Sequence, residues 1–125
     1  MGRPKSTRPT DAELEILRHL WARGEATVRD ISDDMLKTKK VAYTSIATIM
    51  RIMVEKEYVE ITDERRPQKF RAVITETAAR KGVTDEWLTR MFGGSVANLV
   101  RHALTGRKLP KSEIAELRKI IDAAK

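Results

Sequence analysis

Three short hydroxyl side chains, Thr44, Ser45 and Thr48, open the stretch VAYTSIATIMRIMVEK over residues 41–56. The rest of that stretch has the spacing of an apolar helix face. Ile46, Ile49, Met50 and Met53 follow the i, i+3, i+4, i+7 pattern and belong on a buried side. Thr44, Ser45, Thr48 and Arg51 then lie off the centre of that side, with Tyr43 at its leading edge. Hydroxyl residues are poor helix formers, but they let a helix approach another molecule closely. A threonine hydroxyl can bond a base edge or a phosphate, and its methyl can touch a thymine methyl. Chemistry of this kind is recognition, with Tyr43, Thr44, Ser45 and Thr48 as candidate base readers. Taken alone, the same residues fit a solvated helix end equally well.

Basic residues flank the stretch. Between Lys37 and Arg71 nine bases face five acids, within a chain of 125 residues and net charge +7. Lys37, Lys39 and Lys40 precede the helix, Arg51 lies on it, and Arg65, Arg66 and Lys69 follow. Cations placed on both sides of a base-reading helix are candidates to neutralise the phosphates beside a groove.

Other chemistry is poorly represented. With no cysteine, disulfides, thiolate metal sites and cysteine nucleophiles are absent. His19 and His102 have no ligand-spaced neighbours, and GRPKST has too few glycines for a phosphate loop. No enzyme, metal site or cofactor is expected. No apolar run approaches the roughly 20 residues of a membrane span, so the expected location is the cytoplasm, without a membrane partner.

The elements that must position the hydroxyl face can be read in order. Thr10, with Asp11 and Glu13 behind it, caps a first helix carrying Leu14, Leu17, Leu20 and Trp21 and ending near Gly24. Its spacing makes Trp21 a packing residue. Thr27 and Asp30 form a weak capping box for a second helix with Val28, Ile31, Met35 and Leu36 on its apolar side. A short basic turn leads to the third helix, which completes a helix-turn-helix whose second member carries its base readers near its N-terminus. In YVEITDERRPQKFRAVIT, Val59 and Ile61 alternate before a turn, Phe70, Ala72 and Ile74 alternate after it, and Pro67 must lie at the edge or tip.

Three helices and a hairpin make a winged helix, so the expected class is mainly α, with a two-stranded β wing and a C-terminal helical dimerisation region. The expected organisation is a flexible basic arm over 1–9, a DNA-binding domain over 10–75 and a dimerisation region over 76–125. In that last region a short helix is expected to break at Gly82 and another to start from Thr84. Trp87, Leu88, Met91, Phe92, Val96, Leu99, Val100, Leu104, Ile114, Leu117, Ile120 and Ile121 trace apolar stripes there. So small a tail cannot bury them all, and a second copy of the chain would cover them. Such a homodimer presents two recognition helices to an inverted repeat in double-stranded DNA. A nonspecific DNA-coating protein and a winged-helix protein-interaction module fit the same pattern.

The combination of TDAELEILRHLWARGEATVRDI, VAYTSIATIMRIMVEKEYV, the basic wing ending FRAVIT, and LVRHALTGRKLPKSEIAELRKII resembles the penicillinase repressor and methicillin-resistance repressor family, which also includes copper-responsive repressors. The resemblance runs from about Thr10 to Ala124. It implies a dimeric bacterial repressor that binds an inverted repeat through winged helices and interlocks through its C-terminal helices. Members commonly silence genes for a beta-lactamase or penicillin-binding protein together with a membrane sensor peptidase, and are inactivated by proteolysis in the C-terminal region. By resemblance Thr44, Ser45 and Thr48 occupy recognition positions, and Arg66 a wing position that is usually arginine.

The chain departs from the family pattern in several places. Ile52 stands where arginine is usual, with Arg51 one place earlier, and Glu57 and Arg65 stand where glycine is usual. The Asn-Phe bond cleaved in beta-lactam members aligns with Arg101-His102, and the cysteine-rich copper motif is missing. An inactivating protease would therefore cut elsewhere, with FGGS and TGRKLP as the candidate loops. The competing expectation is a constitutive or abundance-controlled repressor.

Overall fold

The computed structural model describes residues 7–38 and 42–125. Along the chain run α1 (Asp11–Arg23), α2 (Val28–Leu36), α3 (Tyr43–Glu55), β1 (Val59–Asp63), β2 (Lys69–Ala72), α4 (Glu76–Phe92), α5 (Val96–Leu104) and α6 (Lys111–Ala123). They form two compact units, the first ending at Glu86 and the second comprising Trp87–Lys125.

In the first unit, side chains set the helix starts. Thr10 Oγ1 accepts the Glu13 amide at 3.2 Å while Glu13 Oε1 accepts the Thr10 amide at 2.8 Å. Thr27 and Asp30 repeat the reciprocal pair at the start of α2, both bonds at 3.0 Å. Each box satisfies amides that the helix leaves unpaired and puts a carboxylate at the positive end of the helix dipole. The Asp30 carboxyl is held below its usual pKa, chiefly by the Thr27 amide. Gly24 stops α1 at φ 83°, its amide donating to Leu20 O at 2.7 Å.

One apolar cluster joins the three helices to the hairpin. Ile16, Leu17 and Leu20 meet Ile31 and Met35 of α2 and Ile46, Met50 and Met53 of α3, with Tyr58, Phe70 and Ile74 beneath. Trp21 packs at its edge and donates its indole N–H to Ile74 O at 3.0 Å, the packing role its spacing predicts. Leu36, expected on the apolar side of α2, is instead 55% exposed. Met35 takes the inward position, and α2 ends one residue later.

The strands pair antiparallel, Val59 with Ala72 and Ile61 with Phe70, and the register shifts between Ile61 and Asp63. Pro67 lies in the turn between them. Ala26, between α1 and α2, exchanges backbone hydrogen bonds with Phe70 at 3.0 and 2.8 Å. A single residue in extended pairing leaves no period-two trace, which is why the sequence does not reveal it.

Glycine-favouring geometry survives at one of the two departures. Glu57 has φ 65° just beyond α3, its amide bonded to Val54 O at 3.0 Å and that of Tyr58 to Met53 O at 2.9 Å. This is a left-handed helix cap with a glutamate where glycine costs nothing, a strain of about 1 kcal/mol. Arg65 does not adopt a positive φ.

The expected break at Gly82 is overturned: α4 is one helix from Glu76 through Phe92, capped by Thr75 Oγ1 accepting the Ala78 amide at 3.1 Å. Thr84 lies inside it. Gly82 is required for a different reason, because a Cβ there would sit 1.9 Å from the carbonyl oxygen of Thr7. Of the arm expected over 1–9, residues 1–6 lie outside the described residues. Thr7 lies against Gly82, and Pro9 is buried.

The second unit has a different character. Gly93 and Gly94, with φ 58° and 81°, end α4, and Ser95 Oγ caps α5 through the Asn98 amide at 3.0 Å. The Phe92 and His102 rings meet tilted by 57°, with centroids 5.5 Å apart. Yet α5 and α6 contain no buried residue.

A buried ion pair in the first unit ties α1 to α3. Glu13 is 3% exposed, and its second carboxylate oxygen receives Lys56 Nζ at 2.8 Å, from the residue that caps the end of α3. The lysine side chain is 40% exposed, so the two partners are not equivalent. Lys56→Met strands a buried carboxylate with one remaining amide donor and is expected to cost about 2 kcal/mol, discounted from a fully buried pair because water reaches the lysine end. Glu13→Gln keeps an acceptor for Thr10 and lets Lys56 turn to water, costing about 1 kcal/mol or less. Urea unfolding of both variants measures the asymmetry; equal losses would contradict it.

Candidate nucleic-acid interface

Burial of Ile46, Met50 and Met53 fixes the rotation of α3 about its axis. Thr44, Ser45, Thr48 and Arg51 consequently emerge on its exposed side, and Tyr43 is 42% exposed at its start. Positions 44, 48 and 51 are one and two turns apart and share a face.

The Thr48 hydroxyl is already oriented. Thr48 Oγ1 donates to Thr44 O at 2.9 Å. With its proton committed inside the helix, Thr48 offers a partner only oxygen lone pairs and a methyl group. That combination suits an amino-group donor on adenine or cytosine and the methyl of thymine.

The helix N-terminus differs from those of α1 and α2. Its N-cap is Ala42, which makes no side-chain cap hydrogen bond. The first-turn amides and the positive end of the dipole are thus left without the carboxylate that closes the other two helices, an arrangement suited to a phosphate.

Arg29 belongs to this surface although nothing in the sequence around it singles it out. Its guanidinium lies 4.8 Å from the centroid of the Tyr43 ring. Only the packing of α2 on α3 brings the two together. A cation over an aromatic face both orients the ring and adds positive charge at the start of α3.

The wing sorts its bases into two sets. Arg65 makes a bidentate pair with Asp63, at 3.0 and 2.8 Å, and adds its amide to the same carboxylate at 2.9 Å. This pairing raises the Arg65 pKa and holds Asp63 below the usual carboxylate range. Arg71 is paired across the strands with Glu60 at 2.6 Å, which raises it likewise. Arg66 and Lys69 are exposed, and neither forms an ion pair with a described residue. Arg66 and Arg51 line one groove with Tyr43 and Gln68, running between α3 and the wing turn.

Lys37, exposed at the end of α2, helps to hold Asp34 below its usual range, after the stronger effect of the Arg23 hydrogen bond. Lys39 and Lys40, expected to complete this basic cluster, lie outside the described residues. In the second unit Trp87, Met91, Val96, Leu104, Ile114, Ile120 and Ile121 are 37–65% exposed, while Leu88, Phe92, Leu99, Val100 and Leu117 are half-buried.

A helix-turn-helix followed by a hairpin, three helices and a two-stranded wing, defines a winged-helix protein. The penicillinase repressor family model matches residues 9–123, and the chain belongs to that family. It is thereby a transcriptional repressor, not an enzyme. It is 22% identical over 111 residues to the penicillinase repressor of Staphylococcus aureus, covering 89% of this chain and 88% of that one. With the penicillinase repressor of Bacillus licheniformis it shares 23% over 116 residues, covering 93% and 91%. Among solved structures, the DNA-binding domain of the repressor BlaI superposes with a TM-score of 0.54 at 21% identity, covering 61% of this chain and 93% of that domain.

Proposed function

We propose that this repressor acts as a homodimer on an inverted-repeat operator. Tyr43, Thr44, Ser45 and Thr48 read base edges, while Lys37, Arg51, Arg66 and Lys69, joined by Lys39 and Lys40, hold the flanking phosphates. The observation that carries the reading is the exposed hydroxyl face of α3, placed beside the wing cations Arg66 and Lys69, which form no ion pair with a described residue. Arg65 contributes less, because each phosphate contact it makes competes with Asp63.

Dimerisation is supported by the second unit, which leaves large apolar side chains exposed from Trp87 to Ile121. A second copy would bury them at about 25 cal/mol per Å² of apolar surface covered. The organisation we infer is an N-terminal DNA-binding domain followed by a helical dimerisation region, working in the cytoplasm. For release we favour a protease cutting FGGS or TGRKLP, where Gly93, Gly94 and Gly106 all have positive φ. Such a cut damages the dimer element and spares the recognition surface.

Selection of genomic fragments bound by the intact chain, followed by sequencing, tests the reading. An inverted repeat should be enriched; uniform recovery would indicate a DNA-coating protein, and no recovery at low salt a protein-interaction module. On the selected site, Thr48→Val should reduce discrimination against random duplex by about tenfold. Arg66→Ala should weaken both alike and lower the salt slope by about one. Sedimentation of the free protein should show a dimer persisting into the low micromolar range, and a folded monomer throughout would contradict that part.

A further inference from the structure

The groove between α3 and the wing has a floor that phosphate contacts would leave unused. Val28, Val54, Ile61 and Phe70 line it, and its volume is about 790 Å³, within the range of roughly 300–1,000 Å³ typical of small-molecule sites. Arg51 stands on the α3 side and Arg66 on the wing side, with the exposed Tyr43 ring beside them. Among the described residues, no carboxylate lines the groove. Elsewhere on the wing, Arg65 and Arg71 are neutralised by Asp63 and Glu60, whereas Arg51 and Arg66 form no ion pair with a described residue.

We infer that this groove binds a small planar aromatic carboxylate, its ring on the apolar floor beside Tyr43 and its carboxylate between Arg51 and Arg66. Each half of the site selects against a different alternative. Two guanidinium groups that form no ion pair with a described residue favour a carboxylate over a neutral aromatic compound, through short charge-assisted hydrogen bonds. The apolar floor favours a ring over a hydrated inorganic anion, which would have to shed water without replacement contacts. The inference touches the proposed function at one point: Arg51 and Arg66 are also proposed phosphate contacts, so acid and duplex exclude one another, and such a ligand would lift repression without proteolysis.

The test uses 2-naphthoate titrated into the intact protein by calorimetry, with 2-naphthamide as the neutral control. Saturable binding of one naphthoate per chain is expected, with the amide about tenfold weaker or worse. The Arg51→Gln/Arg66→Gln double variant should lose at least about tenfold in affinity while unfolding at the same temperature as the parent. Should that variant fail to fold, amide shifts of the parent decide instead: naphthoate should move Ala47 and Gln68 and leave α6 unmoved. Binding that does not saturate, that is equal for the amide, or that shifts α6 and not the groove overturns the inference. Naphthoate binding that meets these criteria, in a protein that binds no duplex, supports the groove site and counts against the DNA contacts alone.

Discussion

One buried carboxylate supplies the directional tie between the first helix and the end of the recognition helix. Glu13 closes the first turn of α1 through the Thr10 amide and, with its other oxygen, holds Lys56 at the end of α3. Lys56 in turn lies over the Tyr58 ring, 5.6 Å from its centroid. The Tyr58 backbone continues the linkage, its carbonyl accepting the amides of Val73 and Ile74 at 2.7 and 3.1 Å. Hydrophobic burial sets which side of α3 faces inward, but it is non-directional. The ion pair adds a directional contact between the end of α3 and α1. A short domain with few polar ties in its interior obtains a defined geometry from this arrangement.

The two units solve different problems. The first buries a core sufficient to hold a rigid reading surface, with both capping boxes, a left-handed cap at Glu57 and a wing sheet extended by Ala26. The second only half-buries its best-covered apolar side chains and has no buried residue in α5 or α6, although those helices are regular and properly terminated. Amphipathic helices without a covered apolar side are poorly stable in isolation, which is the physical reason for inferring that a second copy completes them. Linking two weak half-site contacts through such an element raises affinity by effective concentration as well as by contact area.

Much of this was legible in the sequence because the signals are local. Thr10, Thr27 and Gly24 mark helix ends by chemistry that acts within a few residues, and the three-four spacing of α3 identifies its buried side, whereas that of α1 finds Leu17 and Leu20 but misses the buried Ile16 and includes Leu14 and Trp21, which are only partly buried. The hairpin was legible from period-two alternation on both sides of a polar turn. Long-range contacts were not. Neither the Glu13–Lys56 pair, 43 residues apart, nor the approach of Arg29 to Tyr43 leaves a periodic trace. Gly82 was misread because a glycine inside a helical pattern has two explanations, a break or a close neighbour, and Thr7 supplies the second. Of the candidate site, the exposed face of α3 was readable from periodicity. The division of wing arginines into paired and uncommitted sets depends on strand register, which spacing alone does not give.

The central claim is that two recognition helices, held by paired second units, read a DNA site of matching symmetry. It is tested most directly by changing the distance between the half-sites of the selected operator. Inserting about five base pairs, half a helical turn, rotates one half-site to the far face of the duplex. Measured as binding affinity and stoichiometry, two chains per site are expected on the native spacing, and a loss of about a hundredfold or more with the half-turn insertion, partly restored by a full turn of about ten. Equal affinity at every spacing would contradict the account.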